Sequence, residues 1–152
     1  MRLAQSTLLA GAFVLVGASC PSNDPTSPEG NLVVGTWGGE NVALLVEDDV
    51  AHVHIGCTNG DFQVPLRVDA DNRVNVPGSY LLRAYPIAIG PTLPAQLAGV
   101  LRGRQLTFTV AVNDTVEKKL VVLGPVTVWL GSEPRLGPCP ICDRRSSRVP
   151  GA

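Results

Sequence analysis

His52 and His54 are the only histidines in the chain, and they stand two residues apart. On a β-strand that spacing puts both imidazoles on one face. Neutral imidazoles so placed can share a zinc or copper ion. Near the C-terminus, Cys139-Pro140-Ile141-Cys142 offers two thiolates. If the tail folded back over the strand, His52, His54, Cys139 and Cys142 would form a tetrahedral site. The plainer reading puts both histidines on the wet face of a strand whose other face carries Ala51, Val53, Ile55 and Cys57. That plainer reading is the expectation here, with no metal and no other cofactor. A metal-binding protein or enzyme built on the four residues is the alternative.

The cysteines have a second explanation. Cys139-Pro140-Ile141-Cys142 is similar to a thioredoxin-type redox motif and to half of a zinc knuckle. The redox motif needs a strand-to-helix turn that lowers a thiol pKa, and no βαβ pattern surrounds it. A knuckle pair needs a second CxxC, and the sequence has none. In an oxidising compartment the default is a structural disulfide. Cys57 is expected to pair with Cys139 or Cys142, and a Cys139–Cys142 bridge is a further option. Closing a loop of about 80 residues would add around 4 kcal/mol in the chain-entropy model.

Other polar clusters read as turns. Asp69-Ala70-Asp71-Asn72 hints at a calcium loop but lacks the glycine and the distal bidentate Glu at the needed spacing. Glu47-Asp48-Asp49 is a solvated turn. Asp114 and Glu117 flank a hairpin without forming an acid–base pair. There is no G-x-S-x-G and no phosphate loop. No catalytic residue is assigned, and the protein is read as a non-enzyme.

The elements that must carry these residues are strands. Phe62, Val64, Leu66 and Val68 alternate with Gln63, Pro65, Arg67 and Asp69. Leu106, Phe108, Val110 and Val112 alternate with Gln105, Thr107, Thr109 and Ala111. A period of two marks a strand with one face in the core and one in water. Turn residues recur about every ten positions, helped by 16 Gly and 13 Pro in 152 residues. Strands are expected near 33–37, 41–47, 50–57, 61–68, 73–76, 79–85, 96–102, 105–112, 116–123 and 126–130. Only Pro94–Ala98 could form a helical turn. Many short antiparallel strands suggest a meander, and closing it removes exposed edges. The fold class is therefore all-β, a small antiparallel up-and-down barrel, with a two-sheet sandwich as alternative. The net charge of -1 gives no reason to expect nucleic acid as a partner.

Upstream, Leu8–Gly17 reads LLAGAFVLVG, an apolar run too short to span a bilayer but suited to a signal-peptide core. Small residues Gly17, Ala18 and Ser19 precede Cys20. This arrangement resembles the bacterial lipoprotein signal, the lipobox. The resemblance implies cleavage before Cys20 and a diacylglycerol on its thiol, so that the membrane becomes a partner through the lipid anchor. With a signal peptide over 1–19 so implied, composition and alternation divide the rest into a flexible tether over 20–31, the barrel domain over 32–143 and a disordered tail over 144–152. The resemblance places the protein in the cell envelope outside the cytoplasmic membrane. Pro21, where Asp would signal retention, implies the outer membrane if the cell has one. Ordinary secretion is the alternative.

Gly35-Thr36-Trp37 opens the domain, and Gly38-Gly39 follows. A Gly-x-Trp on the first strand resembles the start of lipocalin and avidin-like barrels, where the Trp closes one barrel end. With Cys57-Thr58-Asn59-Gly60 it also resembles a group of uncharacterised bacterial secreted proteins, which implies no activity. Trp37 is otherwise a core aromatic. The functional expectation is a membrane-anchored binding or structural module. Its partner would be a small apolar ligand in the barrel or another envelope protein.

Overall fold

The computed structural model describes residues 25–27, 30–84 and 90–139. The segment expected as signal peptide (1–19), Cys20, Cys142 and the segment expected as tail (144–152) lie outside these residues. Eight antiparallel strands in chain order close into an up-and-down barrel. They are β1 (Gly35–Gly39), β2 (Val42–Val46), β3 (Ala51–Ile55), β4 (Thr58–Phe62), β5 (Arg73–Leu81), β6 (Leu93–Arg102), β7 (Gln105–Asp114) and β8 (Lys119–Leu130). Every strand pairs with its sequence neighbours, and β1 pairs with β8.

The alternation explains the closure. In β7, Leu106, Phe108, Val110 and Val112 are buried, while the residues between them are partly exposed. All strands turn such a face inward, and the inward side chains form one contiguous core. Trp37, Phe62, Tyr80 and Phe108 are its largest members, each at most 2% exposed. An eight-stranded barrel has room for side chains or for one small ligand. Here four large aromatic rings occupy it.

Several expected boundaries shift. The segments 73–76 and 79–85 are one strand, β5, which runs through Pro77 and Gly78. Pro77 faces Gln96 of β6, and β4 pairing stops one residue short of it, at Gly78. Its missing N–H therefore interrupts no ladder, the position strands tolerate for proline. The segments 116–123 and 126–130 are likewise one strand, β8, with a register shift opposite Phe108 and Val110 that absorbs Gly124 and Pro125. Pro94–Ala98 is strand, not helical turn. Residues 63–72 keep only isolated bridges, Arg67 to Asn31 and Val68 to Val74, so the strand expected over 61–68 ends at Phe62.

Both ends of the barrel are covered. At the end where β1 begins, Leu32 and Leu66 are buried and tied by a Leu32 N–H to Leu66 carbonyl bond of 2.9 Å. The described part of the stretch expected as tether, residues 25–27 and 30–31, is docked here: Val33 N–H donates to the Pro25 carbonyl (3.0 Å), and Thr26 bridges to Leu32. Asp69 caps the turn below, its carboxylate accepting from the N–H of Asp71 (2.9 Å) and Arg73 (2.7 Å). At the opposite end Asp114 continues the inward face of β7 and is 1% exposed. Arg83 donates to it at 2.7 Å and to Glu117 at 2.9 Å.

Candidate functional site

The pattern W-G-G with C-T-N-G is resolved by the contacts its residues make. Trp37 lies inside the barrel, and its Nε1–H donates to the Val33 carbonyl at 3.3 Å. A Cβ on Gly38 would lie 2.3 Å from the Ser132 carbonyl oxygen, because the C-terminal segment crosses that spot. A Cβ on Gly39 would lie 2.1 Å from the Thr127 carbonyl oxygen of β8. Both glycines thus serve close backbone approach. The crossing segment is held by Arg135 N–H to the Gly39 carbonyl (3.0 Å) and Asn41 N–H to the Arg135 carbonyl (2.9 Å). It ends at Cys139, which forms a disulfide with Cys57, their Cα atoms 5.5 Å apart. Thr58 donates to the Ile55 carbonyl at 2.8 Å and meets the Tyr80 hydroxyl at 2.9 Å. Gly60 leaves room for the Tyr80 ring, whose Cδ2 would lie 2.3 Å from an added Cβ. Burial pushes the Tyr80 hydroxyl up to about 12. Trp37, Gly38, Gly39, Cys57, Thr58 and Gly60 thus each have a packing or bonding duty.

The disulfide corrects the metal alternative. Cys139 is covalently bound to Cys57, so it offers no thiolate beside His52 and His54. Cys142 lies outside the described residues. Among the described residues no three His, Cys, Asp or Glu side chains group as ligands for one ion.

The histidines nevertheless occupy an organised site. His52 and His54 stand on the outward face of β3. The β3–β4 hairpin turns at Gly56-Cys57, with Gly56 at φ 59°, which suits the first central position of a two-residue turn. This turn sets Asp61 directly opposite His52, and Asn59 opposite His54. The Asp61 carboxylate pairs with His52 Nδ1. A carboxylate only accepts, so His52 carries a proton on Nδ1 and, when neutral, a lone pair on Nε2. The Nε2 atoms of His52 and His54 are 3.0 Å apart, with the rings edge to face. When His52 is neutral, His54 Nε2–H is the donor to His52 Nε2. Burial and the neighbouring His52 hold the His54 pKa below its usual value, against an upward pull from Asp61.

Asp61 is the site residue that sequence reading missed. Thr58-Asn59-Gly60 had the composition of a turn, yet it begins β4. With the turn moved to Gly56-Cys57, hairpin register alone pairs residue 52 with 61. A second signal was charge. The sequence has no Lys or Arg between Arg2 and Arg67. The strands β1–β4 and their turns carry Glu40, Glu47, Asp48, Asp49 and Asp61 instead.

No protein-family model matches this chain, and no match was found among curated proteins or solved structures.

Proposed function

We propose that the protein is a lipid-anchored envelope module, tethered through Cys20, that works through the outer surface of its barrel and not through a ligand held inside it. The observation that carries the surface half of this reading is the occupied interior: Trp37, Phe62, Tyr80 and Phe108 pack there among aliphatic side chains. A lipocalin-like lumen needs space that these rings take up. The partner is then another envelope protein, met on the outside of the sheet.

The anchoring half rests on the sequence before Cys20 and is compatible with the architecture. The contiguous apolar core lies inside the barrel, opposite to the arrangement of a membrane-spanning barrel, and apolar side chains on the outside are confined to a few positions such as Leu45, Val100, Leu120, Val122 and Trp129. Four strands have only five residues, against about 9–11 needed to cross a bilayer. Attachment therefore depends on a lipid. Two acyl chains or more make such attachment stable.

The test is intact-mass analysis of the protein from its own membrane fraction. The expected result is a chain beginning at Cys20 with added acyl mass, and a Cys20→Ala chain that leaves the membrane. A small apolar molecule bound one to one inside the wild-type barrel would overturn the surface reading. An unmodified Cys20 would overturn the anchoring reading.

A further inference from the structure

We propose that His52 and His54 form the two-nitrogen core of a surface site for a divalent late first-row metal ion, copper(II) before zinc, with Asp61 as the outer support that orients His52. The argument starts from where the nitrogens point. Imidazoles on a wet strand face can direct both ring nitrogens at water. Here the two Nε2 atoms converge to 3.0 Å. Two imidazole nitrogens bound to one ion at about 2.0–2.1 Å each lie roughly 2.9–3.4 Å apart, for inter-ligand angles from square to tetrahedral. The observed separation falls within that span, toward its square end, which suits copper(II). An ion bound to both nitrogens would sit about 1.4 Å to one side of the line between them, so binding releases the Nε2 proton of their hydrogen bond to water and turns the two rings toward the ion.

Asp61 supplies the second mark of a metal site. Ligating histidines commonly donate their other N–H to a carboxylate, which fixes the tautomer and raises ligand basicity. The Asp61–His52 pair has this form, on Nδ1 of the ring whose Nε2 is the ligand. Its carboxylate faces His52 and does not compete for the ion.

The surroundings favour a cation. Opposite His54 stand Ala43 on β2 and Asn59 on β4, and opposite His52 stands Leu45. None carries positive charge, and β1–β4 contain no Lys or Arg. Small Ala43 leaves the approach to His54 open. Water or a partner's side chain completes the coordination, so the site would also suit a bridge to a second protein.

The experiment is calorimetric titration of the full chain, stripped with chelator, using copper(II) chloride and then zinc chloride at near-neutral pH. A Cys142→Ser chain run in parallel removes that thiol as a competitor. The expected result is one ion per chain, with copper bound more tightly than zinc, in both chains. His52→Gln and His54→Gln should each abolish the isotherm. Asp61→Asn should keep the stoichiometry and weaken binding about 10- to 100-fold. These side chains lie on the surface face, and circular dichroism checks that the variants stay folded. In the wild-type chain, paramagnetic resonance of bound copper should show coupling to nitrogen. Absence of binding by the wild-type chain overturns the proposal. So does binding that persists in the His52→Gln/His54→Gln double variant, or is lost with Cys142→Ser.

Discussion

The two halves of the barrel are built on different terms. β1–β4 have five residues each, whereas β5–β8 have nine to twelve. The long strands hold one another by extended ladders, from Gln105↔Trp129 to Asp114↔Lys119 between β7 and β8. The closing seam between β1 and β8 has only Trp37↔Leu130 and Gly38↔Trp129. Short strands form few backbone bonds, and a short ladder closes a barrel weakly. The extra clamps collect on that side. The incoming segment pairs with residues 66–68, the C-terminal segment lies over Gly38, and the disulfide fastens it to the β3–β4 turn. The long half has its own fastening in Arg83 with Asp114 and Glu117. Charge is divided in the same way. The short half has no Lys or Arg and carries the histidine site, while Arg73, Arg83, Arg102, Arg104, Lys118 and Lys119 belong to the long one.

The largest expected effect tests whether the halves share one core. Trp37→Ala in β1 and Phe108→Ala in β7 should each cost about 3–5 kcal/mol in urea unfolding, because both rings lie wholly inside. Each variant should still unfold in a single transition. A Trp37→Ala chain that melts in two steps would show the halves to be separable.

Next comes the covalent clamp. Replacing Cys57 by Ser should remove about 2–4 kcal/mol, given that the bridge spans 82 residues. Hydrogen exchange should then quicken in β1–β4 and leave β6–β8 nearly unchanged. Uniform quickening would break the contrast drawn between the halves.

A smaller effect is expected from Gly38→Val. The obstacle there is backbone of the crossing segment, which must move aside at a cost of roughly 1–3 kcal/mol. Limited proteolysis should cut after residue 130 more readily in this variant. Unchanged cleavage would mean that the strap does not protect the seam.

The smallest effect belongs to the long half. Backbone N–H groups, foremost that of Glu117, and the Arg83 guanidinium hold the Asp114 carboxyl below its usual range. Lys119 and Arg83 do the same for Glu117. A depressed carboxylate pKa stabilises the fold above its unfolded-state value and loses that contribution as pH falls through the folded value. Melting temperature should therefore drop as pH falls below about 4, the ordinary carboxylate range. Asp114→Asn should flatten that drop, and an equally steep decline in the variant would remove Asp114 as its source.

Much of the barrel could be read directly from residue types. Leu106, Phe108, Val110 and Val112 announce their inward face by period alone, because alternation is a local property of the extended chain. The turn at Asp69–Asn72 is equally local, made by a side chain that caps the backbone two and four residues on. The errors came at Gly and Pro. Pro77-Gly78 and Gly124-Pro125 look like breaks, but a proline interrupts a ladder only if a neighbouring strand needs its N–H. The gap between the strands expected over 50–57 and 61–68 puts the turn at Thr58-Asn59-Gly60, two residues after Gly56-Cys57 where the chain reverses, and that offset hides the pairing of His52 with Asp61. Asp114 gave no sign of burial, because the guanidinium that makes it tolerable comes from Arg83, on a different strand connection.

The sequence by itself determined the all-β class and the inward faces of β3 and β7, since these follow from side-chain hydrophobicity repeated along an extended backbone. The tertiary structure decided what depends on register between distant segments. It selected Cys139 as the partner of Cys57, required glycine at position 38 under the crossing chain, and set Asp61 against His52. A one-residue slip of β4 against β3 would set another residue opposite His52 and turn Asp61 to the other face, and no local pattern encodes which register the closed barrel adopts.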